Sequence, residues 1–341
     1  MARSFSEFGN ALYTGEKSID FVGRRKRWYA ISIVLIILSI VGPMLRGGFS
    51  FGIEFTGGSQ FQVHLTQGEE RDPQVAEKAV ASVLPKSTPR VSLLGPTDIR
   101  VQTEALKEAE NREVTAALAE AYGVQEQEVT YSYIGPAWGQ DITRQAIIAL
   151  VVFILFAALV MAIYFRTWKM SLAAIVALLH DLVITAGIYG ISGFEITPAA
   201  MIGFLTILGY SLYDTVVVFD KIRENTLPGE LNERRTFGEA VNLGVNQTLV
   251  RSINTSIVAL LPVGSILFIG AFMLGAGTLR DISLALFIGI LVGAYSTIFI
   301  AAPAYAHLRE GEPEIKRHDA RVRRARGEDA VEEEPAPTES K

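Results

Sequence analysis

Asp214 is the residue in this chain whose surroundings most constrain its chemistry. It lies in Leu208-Gly209-Tyr210-Ser211-Leu212-Tyr213-Asp214-Thr215-Val216-Val217-Val218-Phe219, about two helical turns before a charged exit at Asp220-Lys221. A carboxylate deep in hydrocarbon costs roughly 2.5 to 3.5 kcal/mol on insertion scales, so such a group faces a polar cavity or a partner inside a helix bundle. Arg251 stands near the start of a later apolar block, on a face with Thr248, Thr255 and, less closely, Asn254. It could snorkel to the headgroups, but the run Arg251, Ser252, Asn254, Thr255, Ser256 is too polar for lipid and reads as a hydrated seam between helices. Asp214 and Arg251 fall at similar depths, so a direct or water-bridged pair is geometrically possible. Together they would form a proton switch: the acid holds its charge beside the guanidinium and takes a proton when a rearrangement separates them. The bland alternative for Asp214 is a structural acid bonded to Ser or Tyr neighbours, and Asp220 beside Lys221 reads as an interfacial end residue.

His180-Asp181, in the middle of another apolar block, is a second constellation. A histidine can titrate near neutral pH, and the pair reads equally as a relay member or as a buried structural pair. No further His or Cys stands at ligand spacing from it, so no zinc site is expected. Gly289 and Gly293 form G-x-x-x-G, which permits close helix approach and offers candidates for helix packing or partner contact. Gly57-Gly58 lacks the Lys and Ser/Thr of a phosphate loop, and neither a nucleotide site nor a Ser/His/Asp hydrolase signature is present. No enzyme activity and no cofactor are expected.

The elements that must position these residues are membrane spans. Half of the 341 residues are hydrophobic, and they fall in long blocks instead of being spread as in a soluble core. Absence of cysteine excludes disulfides, thiolate metal sites and a cysteine nucleophile. The net charge of -5 comes mostly from one soluble insertion and the tail, a solvated surface that gives no reason to expect nucleic acid.

Residues 1–27 read as a cytoplasmic N-terminal arm ending in Arg24, Arg25, Lys26 and Arg27, and residues 28–45 as a first transmembrane helix and retained signal anchor. The basic flank places the N-terminus in the cytoplasm. Residues 46–140 hold no spanning block and form an extracytoplasmic α+β domain. There, strand periodicity within 51–65 after the Gly57-Gly58 break, a Pro-initiated helix from Pro73 to Leu84, strands at 90–94 and 98–103, a helix over 104–122 and a strand over 128–134 give the order βαββαβ of a ferredoxin-like sandwich. Residues 141–306 carry transmembrane helices 2–6, starting near Ile142, Met170, Pro198, Leu249 and Ile282. A charged connection at 221–247 is expected to contain a short amphipathic helix. Arg166, Lys169, Lys221, Arg223, Arg234 and Arg235 fall in inside loops and only Arg280 in short outside ones, which predicts six spans with both ends cytoplasmic. Residues 307–341 are charged and Pro/Glu-rich and are predicted to be a disordered cytoplasmic tail.

Several stretches together resemble the SecF family of the SecDF protein-export complex, within the resistance-nodulation-division superfamily. They are Ile19-Asp20-Phe21-Val22-Gly23, Gly52-Ile53-Glu54-Phe55-Thr56-Gly57-Gly58, Ile134-Gly135-Pro136 with Gly139, Leu179-His180-Asp181, the Gly209 to Asp220 stretch with Ile222-Arg223-Glu224-Asn225, Arg251-Ser252, Thr278-Leu279-Arg280-Asp281, and Gly289 to Pro303. The match runs over roughly residues 19–306 and departs at Tyr213, where the family usually has Asn, and at Glu54, where it has Asp. The resemblance implies a subunit of the prokaryotic cytoplasmic membrane that uses the proton motive force to assist late preprotein translocation. It also implies a SecD-like partner and contact with the Sec translocon channel and its motor ATPase. Asp214 and Arg251 match residues of the proton path, and the proton is the coupling ion. Competing readings are a small-molecule or lipid exporter of the same superfamily and a passive membrane assembly factor.

Overall fold

The computed structural model describes residues 5–65, 71–227, 234–271 and 277–328. The arm folds as helix α1 (Phe5–Thr14) and leads to α2 (Arg25–Leu45), which begins inside the basic run. A single helical turn α3 (Ile53–Thr56) then precedes strand β1 (Gly58–His64), which starts at the second glycine of the pair, where the break was expected. Gly57 has a φ of 73°, and a Cβ there would lie 2.9 Å from the Pro136 Cα. Only glycine gives this backbone both its left-handed turn and its close crossing over the start of the second span.

The soluble domain continues with α4 (Pro73–Val83), β2 (Arg90–Leu94), β3 (Asp98–Thr103), α5 (Glu108–Tyr122) and β4 (Val129–Ile134). Asp72 caps α4 by accepting from the Gln74 N–H, with Pro73 at the first position, and Gly123 ends α5 in the left-handed region. The strands form one antiparallel sheet in the order β2-β3-β1-β4. That is the βαββαβ sandwich expected. Phe61, Val63, Ile99 and Val101 alternate toward Val114 and Leu118, and all six are fully buried.

β4 runs almost directly into α6 (Pro136–Phe165), followed by α7 (Trp168–Ser192), α8 (Pro198–Thr226) and α9 (Phe237–Ser265). After α9 comes a π-helical stretch at Ile266–Ala271. The last span is α10 (Gly277–Ser296), a π-helical stretch at Thr297–Ala301, and α11 (Ala302–Arg309). Among the described residues, six helices are long and apolar enough to cross a membrane. α8 lies inside the bundle, with Phe204, Ile207, Leu208, Val218 and Phe219 buried. α6 instead exposes Val151, Val152, Leu155, Phe156 and Leu159, the surface of a lipid-facing helix.

Two expectations are corrected. The segment before Leu249 is no separate amphipathic helix: α9 starts at Phe237, where Thr236 and Glu239 form a capping box, and runs unbroken into the fifth span. Residues 228–233 of that connection lie outside the described residues. The tail is not disordered where it is described, because α12 (Pro313–Arg326) packs back on the bundle. Ile315 and Val322 are buried on its inner face, Asp319 accepts from the Phe237 N–H at 2.7 Å, and Arg326 pairs with Glu239 at 2.7 Å. Residues 329–341 lie outside the described residues.

Candidate functional site: a polar seam through the bundle

One face of α8 carries Ser211, Asp214 and Thr215, all buried, and each bonds a different neighbour. Ser211 Oγ donates to Asp181 Oδ2 on α7 at 2.6 Å, and Asp181 Oδ1 lies 3.3 Å from His180 Nδ1. Asp214 Oδ1 accepts from Ser252 Oγ on α9 at 2.9 Å. Thr215 and Thr297 share a hydrogen bond of 3.0 Å, and Thr297 opens the π-helical stretch of the last span. A π-bulge within an α-helix often accompanies a functional site, and here it accompanies the polar contact between the two helices.

Asp214 is 6% exposed, and its Oδ2 is buried without a hydrogen-bond partner among the described residues, as is His180 Nε2. An orphaned buried acceptor is costly, so Asp214 is held by half of what a buried carboxylate requires. No ion pair joins it to Arg251. Ser252 takes the contact, while its neighbour Arg251 lines a cleft of about 480 Å³ with Tyr13, Tyr164, Asp220, Lys221 and Glu224. The cleft lies at the bundle end away from the soluble domain and reaches the residue next to the one that holds Asp214. Asp220 is exposed there, and Tyr213 is 56% exposed and points away from the seam. The departure at Tyr213 therefore leaves the bonding of Asp214 untouched.

His180 stacks on Tyr295 with ring centroids 6.0 Å apart, and the Tyr295 hydroxyl lies 3.3 Å from Ser32 Oγ on α2. The polar seam thus extends from α9 through α8 and α7 to α2. Gly289 and Gly293 are what let α10 close on it. A Cβ at Gly289 would lie 2.4 Å from Ile207 Cγ1, and one at Gly293 would lie 3.1 Å from Ser211 Cβ and 3.6 Å from Asp181 Oδ2. Within the chain, the pair packs against α8.

Several participants carry no motif. Asn242 and Asn246, one turn apart on α9, hold the strap before α2: the Phe21 N–H donates to Asn242 Oδ1 and the Ile19 N–H to Asn246 Oδ1, both at 2.8 Å. At the other end of the bundle Arg100 of β3 pairs with Glu195 of the α7–α8 loop at 3.0 Å, and Gln102 donates to the same carboxylate at 3.3 Å. Each of these contacts joins residues far apart in sequence, and only those long-range partners mark them.

Comparison with known proteins agrees with this architecture. Residues 113–311 match the family described as Protein export membrane protein SecD/SecF, C-terminal, and residues 45–69 match the SecD/SecF GG motif. The chain is 44% identical over 329 residues to the protein translocase subunit SecF of Streptomyces coelicolor, covering 96% of this chain and 87% of that one. It is 31% identical to the protein translocase subunit SecDF of Thermus thermophilus, across 85% of this chain and 38% of the relative. The crystal structure of SecDF, a translocon-associated membrane protein from Thermus, superposes with a TM-score of 0.72 at 29% identity, over 86% of this chain and 39% of that one. The family match over more than half of the chain, together with the similarity to SecF along nearly its whole length, shows that the chain belongs to the SecF branch of the SecD/SecF protein-export membrane family.

Proposed function

We propose that this chain is the proton-coupled half of an export machine, in which Asp214 takes up and releases a proton as the bundle rearranges. The observation that carries the reading is the half-satisfied carboxylate. Asp214 is buried on the central helix with one oxygen bonded to Ser252, the neighbour of Arg251 and its polar cleft, and the other without a hydrogen-bond partner among the described residues. A proton or an approaching guanidinium would each satisfy the second oxygen, and alternation between the two is a transport cycle. His180 and Asp181 extend the path toward α2 through Ser211, with the proton as coupling ion and no cofactor.

The complementary half is a SecD-like subunit, a reading supported by the fused SecDF relative, of which this chain spans 38%. The membrane is the prokaryotic cytoplasmic one. Arg24, Arg25, Lys26, Arg27, Arg166 and Lys169 gather at the bundle end away from the soluble domain, which supports both termini facing the cytoplasm. The translocon channel, its motor ATPase and the emerging preprotein are the partners that this role requires. The test is preprotein translocation into inverted vesicles under a proton gradient, with Asp214→Asn and Arg251→Met at matched protein levels. Loss of only the gradient-stimulated component in both variants is expected. Undiminished stimulation in both would leave a passive scaffold as the better reading.

A further inference from the structure

The joint between the soluble domain and the bundle is built from charged groups that the seam does not use. Arg100 pairs with Glu195 at 3.0 Å with both side chains nearly buried, and Arg280 lies 3.5 Å from Asp281, which also accepts from Thr197 Oγ1 at 2.9 Å. These four charges cancel. Glu54, on the α3 turn at the base of the domain, is the fifth charged group, and among the described residues no ion pair reaches it: Arg46, the further cation at this end, donates to the Ile191 carbonyl, and Asp141 and Arg144 of α6 are exposed. Its Oε2 is buried without a hydrogen-bond partner among the described residues, and so is Glu195 Oε1. The orphaned donors at the joint, Arg100 Nε and Arg280 Nε, belong to guanidiniums already committed to Glu195 and Asp281. α6, packed against α3, contributes the uncharged Thr143, whose hydroxyl faces the Phe55 carbonyl at 3.5 Å.

We propose that Glu54 is a proton-binding site at the joint, and that its protonation holds the soluble domain docked on the membrane bundle. With Glu54 neutral, two cations face two anions, and its carboxyl gains a hydroxyl donor in a joint that holds two orphaned carboxylate oxygens. With Glu54 ionised the joint carries an extra negative charge on a half-buried carboxylate whose Oε2 is closed off from water, a costly arrangement for that oxygen. Burial is also the largest influence on its proton affinity and pushes the Glu54 carboxyl up from the usual range, a hydrogen bond from its own backbone N–H and the Arg100 charge opposing the rise and Glu195 and Asp281 adding to it.

The sign follows. The docked arrangement is the one that raises the pKa, so docking is fully supported below the ordinary glutamate value of about 4.3 and weakens as pH rises through the raised value. An acidic compartment on the domain side favours the docked joint, and a less acidic one releases Arg100 and Gln102 from Glu195. The inference rests on the orientation proposed above only in naming the compartment that supplies the proton.

The test uses the full chain in lipid nanodiscs. Because the sequence has no cysteine, spin labels can be placed uniquely by Glu113→Cys on α5 and Leu45→Cys at the end of α2, both exposed. Electron–electron distance measurements from about pH 5 to about pH 9 should show one narrow population at low pH and a second, broader one at high pH. The docked-to-released ratio should change about tenfold for each step on the pH scale between the carboxyl's two affinities. Glu54→Gln should keep the low-pH distribution throughout, Glu54→Asp should retain a transition with a moved midpoint, and Arg100→Gln should favour the released population at every pH. Asp214→Asn, which removes the proposed transport proton, should leave the response intact, so failure of the transport reading and failure of this one are distinguishable. A wild-type distribution that ignores pH, or a Glu54→Gln variant that keeps the full transition, overturns the proposal.

Discussion

A single methyl group added at Gly289 should loosen the whole polar seam. Its Cβ would lie 2.4 Å from Ile207 Cγ1, 2.8 Å from Ile207 Cγ2 and 3.0 Å from Ile207 Cβ. Carbon atoms pack at about 3.5 to 4.0 Å, so α10 must move away from α8 by on the order of 1 Å. Overpacking of that kind costs about 1 to 3 kcal/mol. The strain reaches the site because Ser211, one turn after Ile207, is held between Gly293 and its 2.6 Å bond to Asp181. Unfolding of Gly289→Ala, Ile207→Ala and the double variant in mixed detergent micelles forms a double-mutant cycle. Ile207→Ala alone leaves a cavity worth about 2 to 5 kcal/mol, which the new methyl partly fills, so the double variant should be more stable than the sum of the singles by about 0.5 to 3 kcal/mol. A Gly289→Ala variant as stable as wild type, or strict additivity, would refute the close approach of these helices.

Gly57→Ala should damage the domain base more than the domain itself. Its φ of 73° and the 2.9 Å approach to the Pro136 Cα leave a side chain no place, so a local cost of about 1 to 3 kcal/mol is expected. Hydrogen exchange should accelerate across residues 52–58 and 135–143 while the centre of the sheet keeps its protection. The docking of α12 should depend on pH through Glu312, which the Arg309 hydrogen bonds hold below the usual range, with Lys169 assisting. A depressed pKa gives support that is complete above about 4.3 and lost as pH falls through the lower folded value. A nitroxide at the exposed Ala325 position should therefore become mobile in acid, and Glu312→Gln should be mobile at neutral pH with the acid response reduced.

The architecture was largely legible in the sequence because its signals are periodic. Long apolar blocks, the alternation of Phe61, Val63, Ile99 and Val101, and a Pro-led helix at 73 each repeat over several residues and outweigh chance. Asp214 stood out because a carboxylate in hydrocarbon is exceptional. What stayed hidden depends on partners distant in sequence. Ser252 sits beside Arg251 in the same polar run, yet only the packing of α9 on α8 decides that the serine, and not the arginine, meets Asp214. Arg100 and Glu195 look like ordinary surface charges until the domain docks. α12 reads as a solvated tail since Ile315 and Val322 are its only aliphatic side chains larger than alanine, yet these two, with Asp319 and Arg326, fix it in place. The glycine pair of α10 lies where the helix comes close to Ile207 and Ser211 of α8, and spacing alone does not name that neighbour.

The most direct test of proton coupling through Asp214 is proton flux. The chain would be reconstituted in liposomes with a SecD-like subunit, a pH-sensitive dye enclosed, and an imposed pH gradient. Wild type should dissipate the gradient faster than empty liposomes, and Asp214→Asn should return the rate to that of the empty liposomes while retaining the wild-type unfolding midpoint. An Asp214→Asn variant that carries protons at the wild-type rate would contradict the account, because another group would then carry the proton assigned to the half-satisfied carboxylate.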